Sequence, residues 1–501
     1  MGFFKAYDMR GTFGVDFDLD TVYRVGRALP QVVKGKRWLV GRDCRVTSAA
    51  VRNALVKGLS ESGAEVTDLG LCTTPMVYYF TATDGFDGSV MITASHNPPS
   101  DNGLKVSMKT ALPVGYANGL AEVEKLVVVE SGSGRADDKV VVESGSGRAD
   151  DKVVVESGSG PLAYRKLYIE FLRKKLTSTV PLPLSTTTIP LRIGIDCSNG
   201  MASLLAHEIF PDAVIINDTL DGTFPNHSPN PLKADAREQL AALVREQGLD
   251  CGIIFDGDAD RAMFVDENGE FVQPDYLIPI IARNCIGEAE SLPLQNKDFL
   301  DSSNSGGRNS SAPKVIHDVR TSRGAIETLK ELGFEPVMVP VGHAFAKPKM
   351  RETGAISGGE LAGHYYFREF FGCDSAFLAS IRVLSEFERW RKEVEVDNGR
   401  KTFSSMMQPI VSRYANSGEL NFKVEDKDAA IERVLASAAA NLPREVSRSM
   451  MDGIRIEYEE GWINIRKSNT EPFLRLIVEA KTKAMLESWV NLLKAAIEAD
   501  L

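Results

Sequence analysis

One arrangement occurs three times along the 501 residues and limits the fold more than anything else: an apolar strand, a loop, a helix and a second strand. Residues 38–45 read as a strand ending in Gly-Arg-Asp-Cys-Arg. A helix over 48–62 follows, with Val51, Leu55 and Leu59 on one face, until Gly63 stops it. Residues 65–69 then alternate like a strand. The same order returns as strand 191–196, helix 201–210 and strand 213–216. It returns again as strand 314–319, helix 325–332, Gly333 and strand 335–339. Strands alternating with helices point to an α/β class, here three similar mixed α/β domains with mostly parallel sheets. Beyond the polar run 395–401 the texture changes. A helix over 427–440, strands near 454–458, 462–465 and 474–478, and a last amphipathic helix from Lys483 make a C-terminal α+β domain.

The expected divisions are a first domain at 1–126, a linker or insertion at 127–160, and a second domain at 161–272. A third follows at 273–398, and a fourth at 399–501. The linker is unusual: 127–139 (Val-Val-Val-Glu-Ser-Gly-Ser-Gly-Arg-Ala-Asp-Asp-Lys) is copied unchanged at 140–152 and begun again at 153–160. Identical copies point to a recent duplication or a gene-model error, and the Gly/Ser and charge content suits a flexible linker. A second insertion near 291–313, rich in Ser, Asn and Gly, reads as a disordered surface loop.

A net charge of −11 argues against a general nucleic-acid surface. It leaves room for a local cationic cleft that takes small anions. The six cysteines are scattered with no Cys-x-x-Cys pair, which fits free thiols in a reducing compartment. No apolar run approaches a membrane span, and the first residues lack a signal-peptide core, so the cytoplasm is the expected location.

Four loops carry chemistry. After the apolar Val90, Met91 and Ile92 come Ser95, His96 and Asn97, then two prolines that end the ladder, with Lys105 beyond. This presents a hydroxyl as a nucleophile or phosphate carrier would need; a simple Asn-Pro turn is the competing reading. No Gly-x-Ser-x-Gly elbow surrounds Ser95, which disfavours a hydrolase triad. Asp256, Asp258 and Asp260 alternate between two apolar strands and end at Arg261. Three such carboxylates can converge on one magnesium ion and leave positions open for a phosphate oxygen. An acidic solvent loop is the plain alternative. An EF-hand is the other cation reading, but Arg261 stands where it needs glycine. Residues 357–364 (Ser-Gly-Gly-Glu-Leu-Ala-Gly-His) offer Glu360 and His364 to adjacent sugar hydroxyls, or form a glycine turn. His343 and Lys347 precede them. Residues 466–472 (Arg-Lys-Ser-Asn-Thr-Glu-Pro), with Arg475, suit a phosphate dianion, or a polar hairpin turn.

Taken together and in this order, these motifs, with Lys-Ala-Tyr-Asp-Met-Arg-Gly at 5–11, resemble the alpha-D-phosphohexomutases, within them the phosphomannomutase/phosphoglucomutase branch. The resemblance spans nearly the whole chain. It implies four domains around a central cleft and interconversion of mannose 6-phosphate and mannose 1-phosphate, with glucose phosphates as further substrates. The route would pass through a phosphoserine at Ser95 and a hexose 1,6-bisphosphate that also serves as activator. Magnesium would sit among Ser95, Asp256, Asp258 and Asp260, with Arg261 supporting the loop. Glu360 and His364 would hold the sugar, and Arg466, Ser468, Asn469, Thr470 and Arg475 the distal phosphate. Tyr7, Arg10, His96, Asn97, Lys105, His343 and Lys347 would line the cleft, His343 or Lys105 serving as base. The bisphosphate must turn over between transfers, which suggests that the tail domain moves.

The expected partner is a phosphohexose, with no nucleic acid or membrane, on a monomer or homodimer. The competing functions are a glucosamine or N-acetylglucosamine phosphate mutase and a catalytically silent phosphosugar-binding protein. Two departures from the family pattern stand out. Ala362 replaces a usual serine, and Ala259 a usual glycine; the second is harmless if Ala259 keeps a negative φ.

Overall fold

The computed structural model describes residues 2–132, 160–179, 191–289, 312–393, 401–468 and 473–499. Most of the tandem repeat (133–159) and of the polar insertion (291–311) therefore lies outside the described residues. The chain divides into two compact units. One comprises Met1–Val272 with Ala362–Phe403, the other Gln273–Leu361 with Ser404–Leu501. The expected third domain, 273–398, is thus shared between them, divided inside the loop that carries Glu360 and His364.

The first unit begins with strands β1 (Met9–Thr12), β2 (Arg37–Arg42), β3 (Glu65–Leu71), β4 (Gly88–Ile92), β5 (Asp101–Met108) and β6 (Leu112–Pro113). Their order is β1-β5-β4-β2-β3, with β6 on β5. The kernel β3-β2-β4 is parallel, while β5 returns antiparallel to β4. Every residue of β4 is buried, as its unbroken apolar run requires. Helix Leu19–Val33 starts at Asp18, whose carboxylate accepts from the Thr21 amide at 2.8 Å. It packs Val22, Val25 and Leu29 beside Val51, Leu55 and Leu59 of helix Ser48–Glu61. The two helices approach closely because Gly26 and Gly58 face each other. A Cβ on Gly58 would lie 2.1 Å from the Tyr23 carbonyl oxygen.

The second sheet repeats the plan with β7 (Ile193–Asp196), β8 (Val214–Ile216), β9 (Cys251–Phe255), β10 (Ala262–Val265) and β11 (Phe271–Val272). Strands β8-β7-β9 are parallel, and β10 returns antiparallel to β9. The helix expected over 201–210 is broken into a 3-10 turn, Met201–Leu204, and a single turn, Ala206–Ile209.

In the second unit β12 (Lys314–Asp318), β13 (Glu335–Val339) and β14 (Ser357–Gly359) form a third kernel in the order β13-β12-β14, again parallel. All three kernels therefore share one strand order. The parallel part is this kernel, and the strands added to it in the first two sheets are antiparallel. The first unit also holds the antiparallel pair β15 (Tyr365–Phe367) and β16 (Cys373–Asp374). The tail sheet is antiparallel: β17 (Ala415–Asn416), β18 (Leu420–Phe422), β19 (Glu445–Ser449), β20 (Ile454–Tyr458), β21 (Gly461–Lys467) and β22 (Leu474–Ala480). Helices Lys427–Asn441 and Lys483–Glu498 cover it.

Two arginines tie this tail to the third kernel. Arg455 donates to the carbonyls of Val319 (2.6 Å) and Thr321 (3.0 Å). Arg323 donates to Glu457 and to the carbonyls of Tyr458 and Gly461. These contacts join the tail to the third kernel within one unit. The opening of the first repeat copy also differs: Val127–Gly132 closes helix Leu120–Gly132 instead of starting a linker, with Val127 buried.

Replacing Gly58 by Ala forces the helix pair apart and should lower unfolding stability by about 1–3 kcal/mol. Urea denaturation of the variant and wild type measures this.

Candidate active site

Three of the four loops predicted to carry chemistry occupy one repeated position; the fourth, at 466–472, begins at the end of β21 in the tail sheet. Ser95 follows the third kernel strand of the first repeat and Asp256–Arg261 that of the second. The Glu360–His364 loop follows that of the third. A strand edge running into a return turn frees backbone and side chains for a ligand.

In the first unit the first two loops meet. Ser95, buried, donates its hydroxyl to Asp256 Oδ2 at 2.8 Å. Its backbone is left-handed, with φ +52°. The Ser95 amide donates to Thr93 Oγ1 at 2.8 Å. His96 Nδ1 accepts from Arg261 at 2.7 Å and lies 3.3 Å from Ser95 Oγ. Burial, then the cations of Arg261, Arg10 and Lys105, push the His96 imidazole well below its ordinary range, so it is neutral.

Asp256, Asp258 and Asp260 are all buried, and one carboxylate oxygen of each lies within 4.8 Å of the others. Lys105 Nζ bridges Asp258 Oδ2 at 2.7 Å and Asp260 Oδ2 at 2.6 Å. Thr74 Oγ1 adds a 2.6 Å hydrogen bond to Asp258 Oδ2. Burial raises the Asp256 carboxyl well above its ordinary value, reinforced by the charges of Asp260 and Asp258. Burial acts the same way on Asp258 and Asp260, but Lys105 outweighs it, aided at Asp258 by hydrogen bonds and at Asp260 by His364, and both end below the ordinary carboxylate range. Lys105 responds in kind. Burial lowers it, and the charges of Asp258 and Asp260 more than reverse that. In this arrangement the ammonium donates hydrogen bonds to both carboxylates.

The second oxygens of Asp258 and Asp260 are buried and accept no hydrogen bond. A hard cation takes such oxygens, so the residues present fit magnesium. Ala259 breaks with expectation: its φ is +58°, not negative. An alanine there costs roughly 1–2 kcal/mol of backbone strain.

His364 joins this group within the unit. Its Nδ1 pairs with Asp374 Oδ2 at 2.7 Å and lies 3.8 Å from Asp260 Oδ1. The Ala262 amide donates to the Gly363 carbonyl at 3.2 Å, joining the two loops. Arg10 donates to Asp8 at 2.6 Å and to Asn97 Oδ1 at 3.3 Å. Tyr7 lies half-buried in the turn before β1.

The second unit holds the remaining candidates. Arg466 and Arg475 converge on Glu419, at 2.9 and 3.0 Å. Arg320 reaches Glu419 at 3.4 Å and pairs with Asp318 at 2.6 Å. Glu360 Oε2 accepts from the Gly342 amide at 2.9 Å and lies 3.9 Å from Arg320. His343 opens helix His343–Thr353, and Lys347 is buried within it. The Ser468 amide donates to the Phe473 carbonyl at 2.9 Å. Asn469 and Thr470 lie outside the described residues.

Four family models cover these elements. Phosphoglucomutase/phosphomannomutase alpha/beta/alpha domains I, II and III match residues 1–127, 166–269 and 296–414, and the C-terminal domain matches 419–495. The chain belongs to the phosphoglucomutase/phosphomannomutase family. A protein of Xanthomonas campestris named "Phosphohexose mutases" is 32% identical over 487 residues, with 96% of each chain covered. A phosphomannomutase of Vibrio cholerae is 32% identical over 500 residues, covering 96% of this chain and 95% of that one. The crystal structure of a phosphoglucomutase/phosphomannomutase family protein from Burkholderia thailandensis superposes with a TM-score of 0.76 at 27% identity. It covers 99% of this chain and 97% of that one. The activity of this family member is that of a phosphohexomutase, an isomerase.

Sequence reasoning missed Thr74, Asp374, Arg320 and Glu419. Thr74 and Asp374 sit in elements that read as plain structure. One signal for Arg320 was present: Asp-x-Arg closes the first kernel strand in both the first and third repeats, as Asp43-Cys44-Arg45 and Asp318-Val319-Arg320. The pairs adopt the same geometry, each with a 3.1 Å contact from arginine Nε to aspartate Oδ2.

Burial pushes the Glu419 carboxyl up, but Arg320, Arg466 and Arg475 pull it down to about 2. A depressed folded-state value contributes stability above the ordinary 4.5 that is lost as pH falls toward 2. Glu419→Gln should therefore lose on the order of 2–3 kcal/mol at pH 7 and roughly 60% of that at pH 3.5, the remainder going only as pH nears 2, read by urea unfolding across this range.

Proposed function

We propose that this phosphohexomutase interconverts mannose 6-phosphate and mannose 1-phosphate, and acts on glucose phosphates as well. Ser95 is the phosphoryl carrier and hexose 1,6-bisphosphate the intermediate and activator. The observation that carries this reading is the 2.8 Å contact between Ser95 Oγ and the aspartate turn of the next repeat. A serine that merely closed a turn has no need of three carboxylates around it.

In the first transfer the bond between Ser95 Oγ and phosphorus breaks as the free sugar hydroxyl bonds to phosphorus; Oγ leaves with the electron pair as an alkoxide, and the hydroxyl's proton moves to a base. In the second, the other phosphate of the bisphosphate returns to Ser95 and the proton goes back to the departing sugar oxygen. Asp256, Asp258 and Asp260 would hold magnesium, which offsets charge on the transferring group. Lys105 and Arg261 balance these carboxylates, and neutral His96 accepts from Arg261. His364 is a further candidate base beside His343 and Lys105: Asp374 holds its Nδ1 at 2.7 Å, which leaves the other ring nitrogen as the acceptor, as in a carboxylate–histidine pair. Arg466, Ser468, Asn469, Thr470 and Arg475 take the distal phosphate, with Glu360, Lys347 and His343 on the sugar. Domains at 1–126, 161–272, 273–398 and 399–501 accompany this reading. Among the described residues no helix is long and apolar enough to cross a membrane.

Ser95→Ala should lose interconversion of the mannose phosphates by on the order of 10³-fold or more. Wild type mixed with hexose 1,6-bisphosphate should carry one phosphate on Ser95 by mass spectrometry, and chelation should silence it until magnesium returns. Wild-type turnover by Ser95→Ala would overturn the scheme. Rates on mannose, glucose and N-acetylglucosamine 1-phosphates compare the possible sugars directly, which matters because Ala362 removes one hydroxyl from the sugar loop.

His364→Ala should lower kcat by about 10²–10⁴-fold, in the range lost when a positioned proton acceptor is removed. Steady-state kinetics at saturating substrate reads it.

A further inference from the structure

We infer that Arg45 is the residue that positions Ser95 for phosphoryl transfer, an inference that rests on the phosphoserine reading above. The loop 95–101 has a difficulty of its own making. Pro98 and Pro99 interrupt the ladder, and several carbonyls must find donors away from any strand. Arg45 supplies them. Its side chain is fully buried, and all five of its N–H donors have an acceptor. One terminal nitrogen reaches the carbonyls of Ser95 and Asn97, both at 2.7 Å. The other reaches Pro98 at 2.6 Å and Asp101 at 3.0 Å. Nε pairs with Asp43 Oδ2 at 3.1 Å.

Asp43 is itself fixed, because its other oxygen accepts from Ser48 Oγ and from the Arg45 amide. The arginine fork is therefore set from behind before it grips the loop. Above it, the Phe224 ring centroid lies 5.1 Å from the guanidinium carbon. The Ser95 carbonyl that Arg45 holds is also the atom a Cβ at Gly257 would meet at 2.6 Å. One guanidinium thus fixes the backbone of the nucleophile, where the aspartate turn passes closest to it.

The left-handed φ of Ser95 gives this grip a purpose. A serine at φ +52° returns to an extended conformation unless its surroundings over-determine it. That return would swing Oγ away from Asp256. No lysine can replace the fork, since an ammonium has three donors in place of five and no planar geometry. All five donors of Arg45 are taken by Asp43 and by carbonyls of this loop, so its effect belongs to the rate of transfer rather than to sugar binding.

The test compares Arg45→Lys and Arg45→Met with wild type, each as purified full-length protein with activity expressed per folded molecule. Two quantities are read: kcat and KM for mannose 1-phosphate, and the rate at which hexose 1,6-bisphosphate phosphorylates Ser95. For Arg45→Met, kcat and the phosphorylation rate should both fall about a hundredfold, the cost of a small misplacement of a reacting group, with KM little changed. Arg45→Lys should recover part of the loss, and it decides the matter alone if Arg45→Met does not fold. Wild-type kcat in the folded variants, or a loss confined to KM, overturns the assignment of Arg45 while leaving the phosphoserine intact. A wild-type Ser95 that takes no phosphate overturns the phosphoserine reading itself, and the role of Arg45 with it.

Discussion

Three carboxylates buried within five residues repel one another, and the site exists because Lys105 offsets that repulsion. Its ammonium lies within 2.7 Å of two of them. Lys105 comes from β5, on the far side of the Ser95 loop, so the cation that quiets the aspartate turn belongs to the neighbouring repeat. The charge pairing joins two sheets that share no strand. Remove the positive charge and the turn would have to open or take up protons, since an unpaired buried carboxylate is among the costliest groups a fold can hold.

The repeated strand order explains why the chemistry sits where it does. In each kernel the third strand leaves the sheet through a loop, and each of these loops presents different groups: a serine hydroxyl, three carboxylates, a glutamate with a histidine. The Asp-x-Arg pair shows the same divergence. In the first repeat its arginine is consumed by backbone carbonyls. In the third it meets the carboxylates Glu419 and Glu360. The second repeat has Ser198 at the corresponding place, and Asp196 pairs with His227 instead. One scaffold, varied at equivalent positions, accounts for most of the site.

Much of this was legible in the residues. Strand and helix periodicity placed the three kernels and the tail, and the helix expected over 48–62 is Ser48–Glu61. Apolar runs on either side of Asp256–Arg261 placed the aspartates between buried strands. What escaped the sequence depends on tertiary contacts. Asp374 matters only because it meets His364, and Glu419 because three arginines turn toward it. The breakage of the 201–210 helix, and the start of the first repeat copy joining a helix, are tertiary outcomes that local pattern does not encode. Ala259 shows the limit differently. Its side chain says negative φ, and the turn that aims three carboxylates inward imposes the opposite sign.

On the proposed phosphoserine scheme, the left-handed backbone at Ser95 also bears on which amino acid could carry a phosphate here. Threonine offers the same hydroxyl and forms an equally good ester. Its branched Cβ, however, is an outlier at positive φ, whereas serine bears the strain with a single small substituent. The choice between two chemically equivalent alcohols is made by the main chain, before any substrate arrives.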